Sequence, residues 1–193
     1  PGAYAELLFA QPWPNKASLR LIKVGGESIT QYPQQGFDFE IWQSYGPVET
    51  TIESTCTRIY QAQTTPHLSS QLPPIGKPIF NTVVRVVKAN GAAAEIDEVG
   101  ELYIVGAGLS TGYWNNPELT TAHFMQDPLN AASSELFFRT GDLVSWSAEG
   151  ELHFKGRVKN HLEMETAHCQ LNQIESTLLE LPDINEAVVV ENN

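Results

Sequence analysis

Tyr45-Gly46-Pro47-Val48-Glu49-Thr50-Thr51 opens a series of four blocks that carry the candidate chemistry of this 193-residue chain. It is followed by Gly100-Glu101-Leu102-Tyr103-Ile104 with Gly106-Ala107-Gly108 and Gly112-Tyr113. Arg139-Thr140-Gly141-Asp142-Leu143 comes next, and Gly156-Arg157 is last. These side chains include an aromatic ring that can stack, carboxylates that can hold a hard cation or accept from paired hydroxyls, and an arginine that can meet an anion. Singly, each has an ordinary explanation. Asp142 after a glycine suits a turn, Phe154 suits a core, Glu49 suits a solvated or helix-start carboxylate, and Arg157 suits a surface. A Gly-x-Gly without a following helix signal makes no phosphate loop. Only the joint order and spacing point to one site.

That ordered set resembles the adenylate-forming superfamily, and within it the adenylation domains of nonribosomal peptide synthetases. Leu19 to Glu27, ending in Val-Gly-Gly-Glu, resembles that branch, as do Ile75-Gly76-Lys77-Pro78-Ile79 and Gly112-Tyr113-Trp114-Asn115-Asn116-Pro117-Glu118-Leu119-Thr120. The resemblance implies an α/β fold, α+β in part. Residues 1–157 would be the end of a βα-layered large subdomain with a small β-barrel-like sheet, and residues 158–193 the start of a small α+β lid subdomain. It implies ATP and Mg2+ as cofactors, and activation of an amino or related carboxylic acid as its acyl-adenylate. The partners would be that acid, a carrier-protein domain with its phosphopantetheine arm, and the remainder of the adenylation domain.

By the same resemblance, Tyr45 flanks the adenine and Phe154 packs on its other side. Glu49 helps hold Mg2+, Asp142 accepts from both ribose hydroxyls, and Arg157 reaches the ribose or phosphates. The acid pocket would take walls from Lys23, Gly25, Ser44, Ile52 and Glu53. Lys23 and Glu53 are charged, and three readings stay open for them: facing the substrate, pairing with each other, or facing solvent.

The chain departs from the family pattern in two ways. It contains neither the Ser/Thr/Gly-rich loop with its lysine nor the catalytic lysine, which are expected upstream and downstream, so these 193 residues alone are expected to be inactive. After Gly156-Arg157, Lys159 stands where the family has its hinge aspartate, and Glu163, Met164, Glu165 and Thr166 replace a Lys-Ile-Arg-Gly run. Two positive charges become negative, which inverts the local field. That erosion keeps a second reading open, a non-catalytic structural or interaction module derived from such a domain. The joint presence of Tyr45, Glu49, Asp142 and Arg157 favours the enzyme.

The elements that must position these residues follow from local patterns. Leu19–Val24 and Phe39–Trp42 read as strands, and 51–60 is β-prone. Thr82–Val87 is a run of β-branched residues, broken only by Arg85, that ends at the turn pair Asn90-Gly91. Gly100–Val105 reads as a strand. Asn116 caps a short helix that starts at Pro117 and is expected to reach about Met125. Phe137–Arg139, Leu143–Trp146 and Glu151–Phe154 read as three short strands. A polar surface loop is expected over 61–74, a helix over 171–181 and a strand over 184–190.

The composition carries 23 acidic and 11 basic residues, a formal net charge of -12. That disfavours nucleic acid and anionic membranes, because phosphates would be repelled. No run approaches the length of a membrane span. Cys56 and Cys169 are too far apart for a metal motif and read as buried reduced thiols, consistent with a cytoplasmic protein.

Overall fold

The computed structural model describes residues 2–13, 18–26, 29, 32–33, 36–62, 72–158, 161–164 and 167–170, with 178, 187 and 189 further on. It is a mixed α/β arrangement of sheets with few helices. The first sheet has the order β1-β2-β3-β4, formed by Leu21–Val24, Glu40–Tyr45, Thr55–Tyr60 and Lys77–Pro78. Strands β1 and β2 run parallel, and the other pairs are antiparallel. Helix α1, Gly2–Phe9, lies in a stretch where no element was expected. Ala5 and Phe9, four residues apart and so on one face, enter a core with Ile29, Phe37, Phe39 and Ile41.

The expected small sheet has five strands, in the order β5-β6-β8-β7 with β9 also on β8. They are Thr82–Val87, Val99–Gly106, Leu136–Trp146, Phe124–Gln126 and Leu152–Arg157 for β5, β6, β8, β7 and β9. Strand β5 matches its β-branched run residue for residue. Its inner face meets Ile75, Leu102, Ile104, Val144 and Leu152 in a second core cluster. The two sheets are tied by backbone bonds between Ile75–Gly76 and Leu152, including the 2.8 Å bond from Ile75 N to the Leu152 carbonyl.

Three local readings change. The two strands expected over 137–146 are one strand, β8, because β6 pairs with both halves. A register shift between Glu101 and Tyr103 absorbs the irregularity, and Gly141 takes a φ of +73. Helix α2 is Pro117–His123, with the Asn116 side chain accepting from Leu119 N as expected. It stops before Met125 because Phe124–Gln126 is drawn into pairing with the start of β8. Cys56 is a free thiol but only half-buried.

Past Arg157, strands β10, His161–Met164, and β11, Ala167–Gln170, form an antiparallel hairpin. Gln170, just before the helix expected over 171–181, ends β11. Lys159, expected at the hinge, lies with Glu165 and Thr166 outside the described residues. So do the helix expected over 171–181, apart from helical Leu178, nearly all of the strand over 184–190, and most of the loop over 61–74.

Candidate nucleotide-facing cleft

Strands β1 and β2 are parallel, and both end at one cleft of about 410 Å³. Gly26 follows β1 there, and Ser44 to Pro47 close β2. A crevice beyond the carboxyl ends of parallel strands is the usual ligand position in α/β sheets. Its opposite wall comes from the second sheet, through Asp142, Phe154 and Arg157.

The TGD tripeptide earns its shape from a bulge. Thr140 donates through Oγ1 to the Leu102 carbonyl at 2.8 Å and accepts from Asp142 N at 2.9 Å. Gly141 supplies the left-handed φ that other residues resist. A bulge re-aims the side chain that follows it. Asp142 is 4% exposed. Tyr45, 97 positions away, donates its phenol to Asp142 Oδ2 at 2.5 Å. Arg157 sits directly across the β8–β9 ladder and donates through Nε to Oδ1 at 2.7 Å.

Burial pushes the Tyr45 phenol well above its ordinary value, and the Asp142 charge adds to that. It therefore stays protonated and donating. Its contribution to stability is fully present below the ordinary tyrosine value and is lost only as pH rises through the higher folded one. The hydrogen bond it donates to Asp142 raises the Arg157 guanidinium further, so this cation does not titrate in any working range.

Other expected site residues fall in different places. Ser44 and Phe154 line the cleft, whereas Glu49, Lys23, Gly25, Ile52 and Glu53 are not among its lining residues. Glu49 lies on the 3-10 turn Val48–Thr50 just beyond Tyr45. Its Oε1 accepts the Tyr113 phenol at 2.5 Å. Of the three readings open for Lys23 and Glu53, pairing is what forms: they make an ion pair. The half-buried Cys56 thiol lies beside that pair, and its pKa is raised, by burial before anything else. Gly25 is packed so closely that a Cβ would come 2.7 Å from Ser44 Oγ. Among the described residues, no group of three or more His, Cys, Asp or Glu could hold a metal by itself.

One residue escaped the sequence reading. Gln43 is 2% exposed, lines the cleft, and its Oε1 has no hydrogen-bond partner among the described residues. A buried amide oxygen left unpaired costs about 1–3 kcal/mol. Its one sequence signal is position: two residues before Tyr45, it points to the same face of β2.

The chain belongs to the AMP-binding enzyme family, whose model matches residues 3–114. Its relatives are peptide-synthetase adenylation domains. It is 41% identical over 192 residues to tyrocidine synthase 2 of Brevibacillus parabrevis, covering 97% of this chain and 5% of that protein. It is 38% identical over 177 residues to tyrocidine synthase 3 of the same organism, covering 89% of this chain and 3% of the relative. The chain thus spans a small fraction of these relatives' length. Among solved structures it is similar in fold to Klebsiella oxytoca NpsA in complex with 3-hydroxyanthranilyl-AMSN. The TM-score is 0.69 at 24% identity, over 90% of this chain and 36% of that one. An artificially fused adenylation–PCP di-domain, NpsA-ThdA from Klebsiella oxytoca, matches with a TM-score of 0.63 at 24% identity, over 90% of this chain and 35% of that one.

Proposed function

We propose that this chain forms the nucleotide-facing half of a site that uses ATP to activate an amino or related carboxylic acid as its acyl-adenylate, for transfer to a carrier-protein thiol. The observation that carries this reading is the Tyr45–Asp142–Arg157 cluster. Two sheets bring it together at one cleft, and no local chain constraint requires Tyr45 to meet the other two. A carboxylate offers about four acceptor sites. With Tyr45 and Arg157 each using one, Asp142 keeps room for two ribose hydroxyls. Tyr45 and Phe154 flank the adenine, and Arg157 adds positive charge toward the phosphates.

Gln43 accepts from the exocyclic amine of adenine, which would satisfy its orphan oxygen. Glu49 is a single carboxylate, which fits Mg2+, an ion that takes most of its oxygens from phosphates and water. That ion would neutralise phosphate charge while the acid attacks. Ser44 lines the cleft, and Gly25, Ile52 and the paired Lys23 and Glu53 would border the acid beside it. Residues 1–157 act as the end of the large subdomain, and 158–193 as the start of the small one, with Lys159 at the hinge. The setting is cytoplasmic.

Two measurements test this reading. ATP–pyrophosphate exchange with a panel of amino acids should be absent for these 193 residues alone, since they lack the phosphate loop and the catalytic lysine that would supply several kcal/mol of transition-state stabilisation. The full-length protein carrying them should exchange with at least one acid. Robust exchange by the isolated segment would refute this division of labour. The second is Gln43→Leu, which has opposite effects on two observables. Removing the unpaired buried amide oxygen should leave thermal stability equal or higher, by up to about 1 kcal/mol. AMP affinity should fall about tenfold for one lost hydrogen bond. Unchanged affinity for AMP would remove Gln43 from the site.

A further inference from the structure

Glu49 is held by more than its own turn. The residues after it, Thr51 and Ile52, are β-branched and adopt φ values of +60 and +72, a conformation such side chains resist. Ile52 is 75% exposed, so packing of its side chain does not explain the strain. What holds the turn is the segment 106–113, which arrives from the other sheet. Ser110 N donates to the Glu49 carbonyl at 2.8 Å, and Thr51 Oγ1 donates to the Gly108 carbonyl at 2.7 Å. The approach is close enough that a Cβ on Gly108 would lie 2.7 Å from the Thr50 carbonyl oxygen.

The same segment ends in Tyr113, whose phenol donates to Glu49 Oε1 at 2.5 Å. Tyr113 is itself fixed. Its N–H donates to Thr120 Oγ1 at 2.9 Å, and its ring packs edge-on to His123 and Phe124. Helix α2 and its Asn116 cap therefore brace Tyr113, delivering one O–H to one oxygen of Glu49. Strained backbone that the surroundings over-determine is a mark of sites where geometry matters.

We propose that Tyr113 is a positioning residue for Glu49, tying down one carboxylate oxygen and leaving the other for the metal–phosphate group of the bound nucleotide. This rests on the reading of Glu49 given above. The test is calorimetry on the full-length protein with two probes: ATP in saturating Mg2+, and AMP with the metal chelated. Tyr113→Phe keeps the ring contacts and removes only the O–H, so the melting temperature serves as a check on the fold. It should weaken Mg-ATP binding about tenfold, the scale of one hydrogen bond to a charged group, and leave AMP affinity unchanged. Combined with Glu49→Gln, it should add nothing to the effect of Glu49→Gln alone.

If Glu49→Gln weakens Mg-ATP binding and Tyr113→Phe does not, the positioning role is wrong and the site reading stands. Equal losses for both probes, or additive losses in the double variant, would mean that Tyr113 only stabilises the fold, which also overturns the proposal. If neither variant moves Mg-ATP affinity, the metal-facing assignment of Glu49 fails, and the positioning role fails with it.

Discussion

Asp142→Ala in the full-length protein should reduce AMP affinity by about a hundredfold or more. The carboxylate is almost fully buried, yet it borders an open cleft, and it is held from two sides by Tyr45 and Arg157. Two ribose hydroxyls donating to a fixed charge are worth about 1.5 kcal/mol or more each, and 1.4 kcal/mol is a factor of ten. The substitution also strands the Tyr45 phenol, a cost of about 1–3 kcal/mol in stability. Arg157 is largely exposed and can turn to solvent, so its share is small. Asp142→Asn separates the two effects: it retains an acceptor for Tyr45, so it should melt closer to wild type while still binding AMP poorly. Calorimetric titration alongside thermal melts measures both. A folded Asp142→Ala protein with unaltered AMP affinity would end the proposal that this cleft takes the nucleotide.

Gly76→Ala should lower the melting temperature by about 6 to 12 °C. Gly76 lies where the two sheets are joined: it forms a bridge to Leu152 and immediately precedes β4. Its φ is +92, and a Cβ would stand 2.3 Å from the Cys56 carbonyl oxygen. The left-handed conformation costs a non-glycine residue about 1–2 kcal/mol. The clash is with backbone in β3 that already pairs with β2 and β4, so relief requires prising strands apart, a further ~1–3 kcal/mol. Together these give roughly 3 kcal/mol, and each kcal/mol moves the midpoint by about 2–4 °C at this chain length. Because Ile75 lines the cleft, ligand affinity should fall as well. Gly91, also at positive φ but with open space around it, is the control: Gly91→Ala should show only the conformational part. Equal shifts at the two positions would mean that the close approach at Gly76 carries no energy.

The amino-acid sequence by itself determined what short-range physics controls. The β-branched run at Thr82–Val87 is a strand because such side chains suit a pleated surface. Asn116-Pro117 starts a helix because one caps it and the other needs no donor there. The order of the four blocks was enough to name the family. It was also enough to nominate Asp142, Tyr45 and Arg157, which meet at one cleft.

Tertiary structure decided the rest, wherever a residue's role depends on a distant partner. Leu136–Trp146 became one strand because β6 bridges the break at Gly141, and Phe124–Gln126 left the helix because β8 offered a ladder. Lys23 and Glu53 could have faced ligand, solvent or each other, and only the neighbouring strand ends settle them as a pair. Gln43 read as one more polar residue after the strand Phe39–Trp42 until burial left its carbonyl oxygen unpaired. Tyr113 and Glu49, 64 positions apart, share no pattern that a window along the chain can detect. The reason is common to all of these: pairing and desolvation belong to two surfaces at once, and local sequence describes only one of them.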